Sequence, residues 1–337
     1  IDQGASVLGA ESVRLTGDSV RNAGELAGKL VEVALDQGLV NDGQMLAGEA
    51  IRLTASTLNN RGTVQAVEDV SVEAITGVVN EGDMVAGNAM SVRSEGDVEN
   101  TGTVLAGQTL TVASQALDNQ GQLHSGNQAE LNADTLSNTG SIVAAETLQA
   151  KARVIDNQAE SAPEAGEEGS EESGSEGGLI QSGGVLLLKA DNTLTNHARI
   201  VSGGDATLEA AEQLDNHGEI TSQRNMTLSA SQKLHNTGDV LALGSLIADS
   251  ATVMENHGTL QALEHLSVSG DAVTNDGAIR ANGIVTLSAV AGALLNRSEV
   301  TAGQHVIIEA NRVTNESGGK IKAEGQLAVT ADHALRN

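Results

Sequence analysis

The chain has 337 residues, and its 45 acidic and 18 basic side chains give a formal net charge of −27. This acidic excess argues against nucleic acid and anionic lipid as partners, since both require a basic protein surface. The sequence contains no cysteine, which excludes disulfides and thiolate metal sites. No stretch approaches the roughly 18 apolar residues of a membrane-spanning helix, so we predict no membrane insertion.

Asparagine recurs every 19 to 22 residues from Asn22 onward, with one longer gap between Asn157 and Asn196. An apolar residue stands two positions before each asparagine, another usually follows four positions after it, and a small residue usually comes two positions later. An alternating pair such as Val70 and Val72 completes the unit. A fixed period near 20 residues is typical of a solenoid, in which each unit must stack on its neighbours.

Within each unit the apolar residues alternate with a period of two, which indicates strands and not helices. Three short strands, separated by Asn, Gly or Ser turns, fit into a coil of about 20 residues. We therefore predict an all-β fold, a parallel β-helix (β-solenoid) of about 16–17 coils around an aliphatic core. At roughly 4.8 Å per coil, such a stack would be about 80 Å long.

The asparagine column has a structural explanation. Asparagine, and the glycine that follows it two residues later in eleven of sixteen repeats, both tolerate the left-handed backbone of a sharp corner. Stacking would also place the amides about 4.8 Å apart, so that each can hydrogen-bond to the next. We expect this structural ladder at Asn60, Asn80, Asn100, Asn119, Asn138, Asn216, Asn236 and Asn256.

The repeats occupy residues 1–157 and 178–337, and residues 158–177 interrupt them. This segment contains seven Glu, the only Pro of the chain and no Lys or Arg. Because it lacks any apolar periodicity and its composition cannot offset the entropy of ordering, we predict a flexible loop inserted within one coil of a single domain. A role in calcium binding or partner capture stays open, although the Glu spacing does not match an EF-hand loop.

Two histidines are the only metal-ligand candidates that we single out. His197 and His217 follow ladder asparagines on adjacent coils, so their rings could lie about 4.8 Å apart, as in a two-histidine metal pair. Thr237 interrupts the series before His257, and no carboxylate recurs beside these rings, so we expect exposed turn residues without a metal. No Ser-His-Asp arrangement, phosphate-binding loop or HExxH motif is present. We predict no catalytic residue, no cofactor and no enzyme activity.

Copies such as Asn100-Thr-Gly-Thr-Val-Leu-Ala-Gly107 and Asn138-Thr-Gly-Ser-Ile-Val-Ala144 resemble the filamentous haemagglutinin repeat of two-partner secretion exoproteins. The resemblance covers nearly the whole chain apart from residues 158–177. It implies a right-handed parallel β-helix, export through an outer-membrane transporter, and a secreted protein on the surface of a Gram-negative bacterium. The family includes adhesins and the stalks of contact-dependent growth-inhibition toxins.

Two functions stay open at this point. The first is a structural rod that presents a distal adhesive or toxic region to other cells, and the second is a binding module whose side contacts a host or bacterial surface directly. Because the sequence opens at Ile1 inside a repeat-like segment and ends on Asn337, we expect an internal piece of a longer protein. We also expect a monomer, with any target-cell receptor bound by regions outside this piece.

Overall fold

The computed structural model describes residues 1–159 and 177–337. The acidic loop predicted at residues 158–177 therefore lies almost entirely outside the described residues. The chain divides into two compact units. The first comprises Ile1–Ala152 and the described residues between Ala159 and Gln181, and the second comprises Arg153–Gln158 and Ser182–Asn337.

The strands of the first unit range from 3 to 17 residues and follow one another with little intervening chain. They are β1 (Ser6–Gly17), β2 (Val20–Asn22), β3 (Glu25–Leu35), β4 (Gly38–Asn41), β5 (Gln44–Asn60), β6 (Thr63–Ala66), β7 (Asp69–Asn80), β8 (Asp83–Ala86), β9 (Ala89–Ser94), β10 (Asp97–Asn100), β11 (Thr103–Ala106), β12 (Thr109–Asn119), β13 (Gln122–Ser125), β14 (Gln128–Asn138) and β15 (Ser141–Ala144). On either side of the undescribed residues lie β16 (Thr147–Asn157) and β17 (Leu179–Ser182).

The second unit continues with the same alternation of short strands and turns. Its strands are β18 (Val185–Asn196), β19 (Arg199–Ser202), β20 (Ala206–Ala210), β21 (Gln213–Asn216), β22 (Glu219–Ser222), β23 (Met226–Ala230), β24 (Lys233–Asn236), β25 (Asp239–Ala242), β26 (Leu246–Ser250), β27 (Val253–Asn256), β28 (Thr259–Ala262), β29 (Leu266–Ser269), β30 (Ala272–Asn275), β31 (Ala278–Ala281), β32 (Val285–Asn296), β33 (Glu299–Ala302), β34 (Val306–Asn315), β35 (Lys320–Ala323) and β36 (Leu327–Arg336). No helix long and apolar enough to cross a membrane occurs in the residues that the structure describes.

The second unit shows most clearly how three strands build a coil. One parallel sheet contains β20, β23, β26 and β29, a second contains β21, β24, β27 and β30, and a third contains β22, β25, β28 and β31. Paired residues lie one repeat apart, as for Leu208 with Leu228 and Asn216 with Asn236. The predicted all-β, right-handed parallel β-solenoid is confirmed, with about 16 turns over the two units and no helix in the described residues.

Several coils of the first unit contain fewer, longer strands than the three that the sequence predicts. β5 runs through 17 residues, and β12 pairs with β14 on both sides of Gln115. Two strands of one coil join into one long strand because the hydrogen bonds to the adjacent coil continue where the chain changes direction. This is possible when both coils change direction at the same position in the repeat. The number of strands therefore changes, but the parallel stacking does not.

The apolar columns of the sequence form the core of each unit. Along β23, the buried Met226, Leu228 and Ala230 alternate with the half-buried Thr227 and Ser229. This alternation follows from the pleat of a strand, which directs successive side chains to opposite faces. The inward positions hold Val, Leu, Ile, Met and Ala in stacked rows, and the small residues occupy the corners.

The glycines two residues after the ladder asparagines do not have the left-handed backbone predicted for them, and that prediction is wrong. These positions favour glycine because the adjacent coil leaves little room for a Cβ. Among the described glycines, positive φ angles occur at Gly4, Gly17 and Gly318, none of which belongs to this column. An added Cβ at Gly62 would lie 2.0 Å from the carbonyl oxygen of Gly43 in the adjacent coil. At Gly62 the corner backbones thus approach too closely for a side chain.

Candidate functional site

Buried asparagines form a hydrogen-bonded ladder within each unit. Each ladder asparagine from Asn22 to Asn315 is the last residue of a strand. In the first unit, Nδ2 of each amide donates to Oδ1 of the next at 2.8 or 2.9 Å, from Asn22 through Asn138. In the second unit, the corresponding distances from Asn157 through Asn337 are 2.7 or 2.8 Å.

The second proton of each amide binds the backbone of the corners. Nδ2 of Asn60, for example, also lies 3.2 Å from the carbonyl oxygens of Gly62 and Asp83. Each amide thus connects its own corner to the following coil, and all its polar atoms are engaged although Asn60 is fully buried. The described ladder is therefore a structural element, because a buried amide that lost these partners would carry a large desolvation cost.

The outward columns carry charges that pair between coils. Arg61 Nε lies 3.0 Å from Glu81 Oε2, and Arg297 lies 2.9 Å from Glu316 and 3.2 Å from Asp276. These arginines and glutamates are about half exposed, so solvent screening leaves each pair with little net stabilisation. These outward pairs therefore contribute little to the stability of the fold.

Four histidines lie on consecutive coils of the second unit, and we call them the histidine cluster: His197, His217, His235 and His257. The rings of His197 and His217 are stacked, with centroids 4.7 Å apart and an angle of 9° between their planes. His235 packs edge-on against both His217, at 5.8 Å, and His257, at 5.4 Å. The chain has only eight histidines, so half of them meet in this one cluster.

The structure corrects two interpretations made from the sequence. Thr237 does not interrupt the histidine series, because His235, on the other side of Asn236, fills the gap between His217 and His257. The residues immediately before and after a buried asparagine both point outward, so they share one face. A comparison of these two columns in the sequence would have revealed His235.

Carboxylates also accompany the rings, contrary to the sequence interpretation. Asp215 and Glu255 are the strand partners of His235 on the two neighbouring coils. Asp276 Oδ2 lies 3.4 Å from Nδ1 of His257. The outward face therefore combines imidazoles with carboxylates, a donor set that can bind a cation.

Two sets of three side chains each bring one donor atom per residue to within 4.8 Å of one another. The first set is Asp215, His217 and His235, and the second is His235, Glu255 and His257. Both share His235, which is half-buried. His197, one of the two histidines singled out from the sequence, belongs to neither set.

The surroundings of His235 favour its neutral ring. Burial is the main cause of its lowered pKa, and the nearby Lys233 adds to the effect, while Asp215 and Glu255 oppose it. The 3.5 Å contact between His235 Nδ1 and Asp215 Oδ1 is therefore a polar contact and not an ion pair at neutral pH. Lys233 is itself engaged by Glu255 at 2.8 Å, and this hydrogen bond lowers the pKa of Glu255.

Comparison with protein families identifies the repeats. The sequence model described as Haemagglutinin repeat matches residues 1–102, 85–152, 124–162, 175–241 and 201–337, which together cover nearly all of the chain. Searches of curated proteins and of solved structures gave no match. The matched stretches contain the asparagine ladders, the apolar columns and the parallel coils described above, and the chain belongs to the haemagglutinin repeat family.

Proposed function

We propose that this chain is a structural rod segment of a secreted exoprotein, which presents a distal adhesive or toxin region to other cells from the surface of a Gram-negative bacterium. Membership of the haemagglutinin repeat family implies an extracellular or cell-surface exoprotein of structural, adhesin-like character. Within that class, a rod needs stiffness and length more than chemistry.

The observation that carries the proposal is the continuous ladder within each unit. Parallel strands, buried amides and aliphatic rows repeat from coil to coil, so each added coil extends the same structure by about 4.8 Å. Bending such a stack would break several inter-coil hydrogen bonds at once. The proposed export partner is an outer-membrane two-partner secretion transporter, and the proposed state of this segment is monomeric.

Removal of whole coils tests the rod. Deletion of residues 81–138 removes three repeats of the first unit and joins Asn80 to Thr139, which occupies the same position in its repeat as Glu81. The strand content by circular dichroism should persist, and the maximum dimension from small-angle X-ray scattering should fall by roughly 14 Å. Deletion of residues 81–128 is the matched control, because it joins the chain half a coil out of register. A globular scattering profile of the full chain would refute the proposal.

A second candidate, direct side-on adhesion, is favoured by three exposed apolar residues. Leu243, Ile247 and Leu263 are 42, 46 and 40 % exposed, and Leu263 lies one coil after Leu243 in the same column. Adjacent exposed apolar residues such as Leu243 and Leu263 occur at protein interaction sites. Saturable binding of the purified, labelled chain to cells, lost when the three residues are replaced by serine, would support adhesion. If the segment is only a structural rod, we expect no saturable binding of the purified chain to cells.

A further inference from the structure

We propose that the second unit binds a divalent transition-metal ion of the Zn²⁺ type through Asp215, His217 and His235. These side chains project from two neighbouring coils, at the ends of β21 and β24. Nothing in the rod function requires them, because they point outward and leave the core and the amide ladder untouched.

The backbone holds the three residues in a fixed relation. Asp215 and His235 are direct partners in the parallel pairing of β21 with β24, and His217 follows Asn216, whose amide donates to Asn236 at 2.8 Å. A site whose backbone is already ordered loses little conformational entropy when it binds. Ordered strands therefore favour this arrangement over a similar set of side chains on a loop.

Modest side-chain rotation completes the geometry. The three donor atoms lie within 4.8 Å of one another, whereas ligands around a tetrahedral Zn²⁺ with bonds of about 2.1 Å lie roughly 3.4 Å apart. His217 is exposed, so its ring can rotate without disturbing the core. Three protein ligands leave a coordination position for water, as in zinc sites with two histidines and one carboxylate.

Neighbouring groups orient the ligands. Thr237 Oγ1 lies 2.7 Å from Nδ1 of His217, and Gln213 Nε2 donates to Oδ2 of Asp215 at 2.7 Å, which leaves Oδ1 on the side of His235. Such outer hydrogen bonds fix ring and carboxylate orientation at metal sites.

The overlapping set of His235, Glu255 and His257 is less suitable. Glu255 is paired with the ammonium of Lys233 at 2.8 Å, and His257 lies 3.4 Å from Asp276. A metal there would have to compete with a lysine for its carboxylate. Since both sets share His235, one ion per chain is expected, bound by the first set.

The donor chemistry decides the class of ion. Two imidazoles with one carboxylate suit Zn²⁺, Ni²⁺ or Cu²⁺, whereas Ca²⁺ and Mg²⁺ prefer sites built from oxygen ligands. The net charge of −27 attracts any cation, so charge alone does not distinguish these ions. Selectivity for Zn²⁺ over Ca²⁺ is therefore the property that separates a built site from a negatively charged surface.

Titration calorimetry of the full, chelator-treated chain with Zn²⁺ at pH 7.5 tests the proposal. We expect about one Zn²⁺ per chain, no displacement by excess Ca²⁺ or Mg²⁺, and a melting temperature that rises with Zn²⁺. The variants His235→Gln and His217→Gln should weaken binding by at least roughly 10- to 100-fold. Circular dichroism of each variant verifies that the fold is retained.

Two controls distinguish the outcomes. His197→Gln removes a ring that stacks on His217 but belongs to neither donor set, so it should leave Zn²⁺ affinity nearly unchanged. His257→Gln should likewise retain binding. Loss of binding in His257→Gln but not in His217→Gln would overturn the assignment to Asp215, His217 and His235. Equal binding by the wild type and His235→Gln, or displacement of Zn²⁺ by Ca²⁺, would overturn the site altogether.

Discussion

Replacement of Asn100 by alanine tests whether the amide ladder determines stability. Asn100 is 1 % exposed, accepts a hydrogen bond from Asn80 at 2.8 Å and donates to Asn119 at 2.8 Å. In Asn100→Ala, Oδ1 of Asn119 loses its ladder donor. Nδ2 of Asn80 retains the carbonyls of Gly82 and Thr103 as acceptors.

The cost follows from these contacts. One buried acceptor without a donor is unfavourable by about 1–3 kcal/mol, and a lost hydrogen bond at Asn80 adds about 1 kcal/mol. We therefore expect the local free energy of unfolding around this coil to fall by about 2–4 kcal/mol. In a repeat protein the loss is concentrated in the altered coil and its neighbours, because each coil contacts only the adjacent ones.

Hydrogen exchange is the suitable measurement, since the chain has no Phe, Tyr or Trp and offers no aromatic fluorescence. The amides of Gln120 and Gly121 donate to the Asn100 carbonyl at 2.8 and 2.9 Å, and they report on this coil. Their protection should fall by roughly 30- to 1,000-fold.

Asn132→Ala is the matched control for this substitution. The side chain of Asn132 lies outside the ladder and donates only to the exposed Glu130, at 3.0 Å. Its replacement should change the free energy of unfolding by less than about 0.5 kcal/mol. Equal effects of the two substitutions would refute the reasoning, because they would show that the buried ladder contributes no more than a surface hydrogen bond.

Three further predictions concern packing, core polarity and pH. Gly62→Ala should destabilise the first unit by about 1–3 kcal/mol, because the added Cβ would lie 2.0 Å from the Gly43 carbonyl oxygen. Gly48→Ala is the control and should be close to neutral, because the nearest atom to its added Cβ lies 3.7 Å away. Urea titrations followed by circular dichroism compare the stabilities of the two variants. Val72→Asp places an unpaired charge at a fully buried position and should lower the free energy of unfolding by about 3–5 kcal/mol. Ser71→Asp, on the outward face of the same strand, should not have this effect. Similar melting temperatures of the two variants would contradict the inward assignment of Val72. Burial lowers the pKa of His124 below its ordinary value of 6.5, so the folded state disfavours the protonated ring. Its contribution to stability is present above about pH 6.5 and is lost as the pH falls through the lower folded-state pKa. When the pH is lowered from 7.5 to 5, the free energy of unfolding should therefore fall less in His124→Gln than in the wild type. Equal changes in the free energy of unfolding of the two proteins would contradict this.

The parts of the fold that could be predicted from the sequence are those that stacking imposes on every coil. The inward rows containing Val72 and Leu228 were evident because an apolar residue at an inward position of one coil must meet another in the next. The asparagine period was evident for the same reason, since each amide needs a partner one coil away. A constraint that recurs in every repeat is visible in a single sequence.

The glycine column was misinterpreted because a glycine at a fixed position in the repeat has two possible causes. Glycine at the position of Gly62 fits both a left-handed turn and a close backbone approach, and the sequence does not distinguish them. The 2.0 Å separation from the Gly43 carbonyl identifies the second cause. The merging of strands in β5 was likewise not evident, because a bend with continuous inter-coil pairing has no residue signature of its own.

The histidine cluster was missed for a different reason. Within the column of residues that follow the ladder asparagines, Thr237 separates His217 from His257. On a strand, however, the residues at either side of a buried asparagine both face outward, and stacking brings the two columns together. His235 therefore meets rings from both neighbouring coils, with Asp215 and Glu255 as its partners. In a solenoid, the inward columns are dictated by packing, so chemistry specific to one member is to be sought where two outward columns meet across a ladder residue.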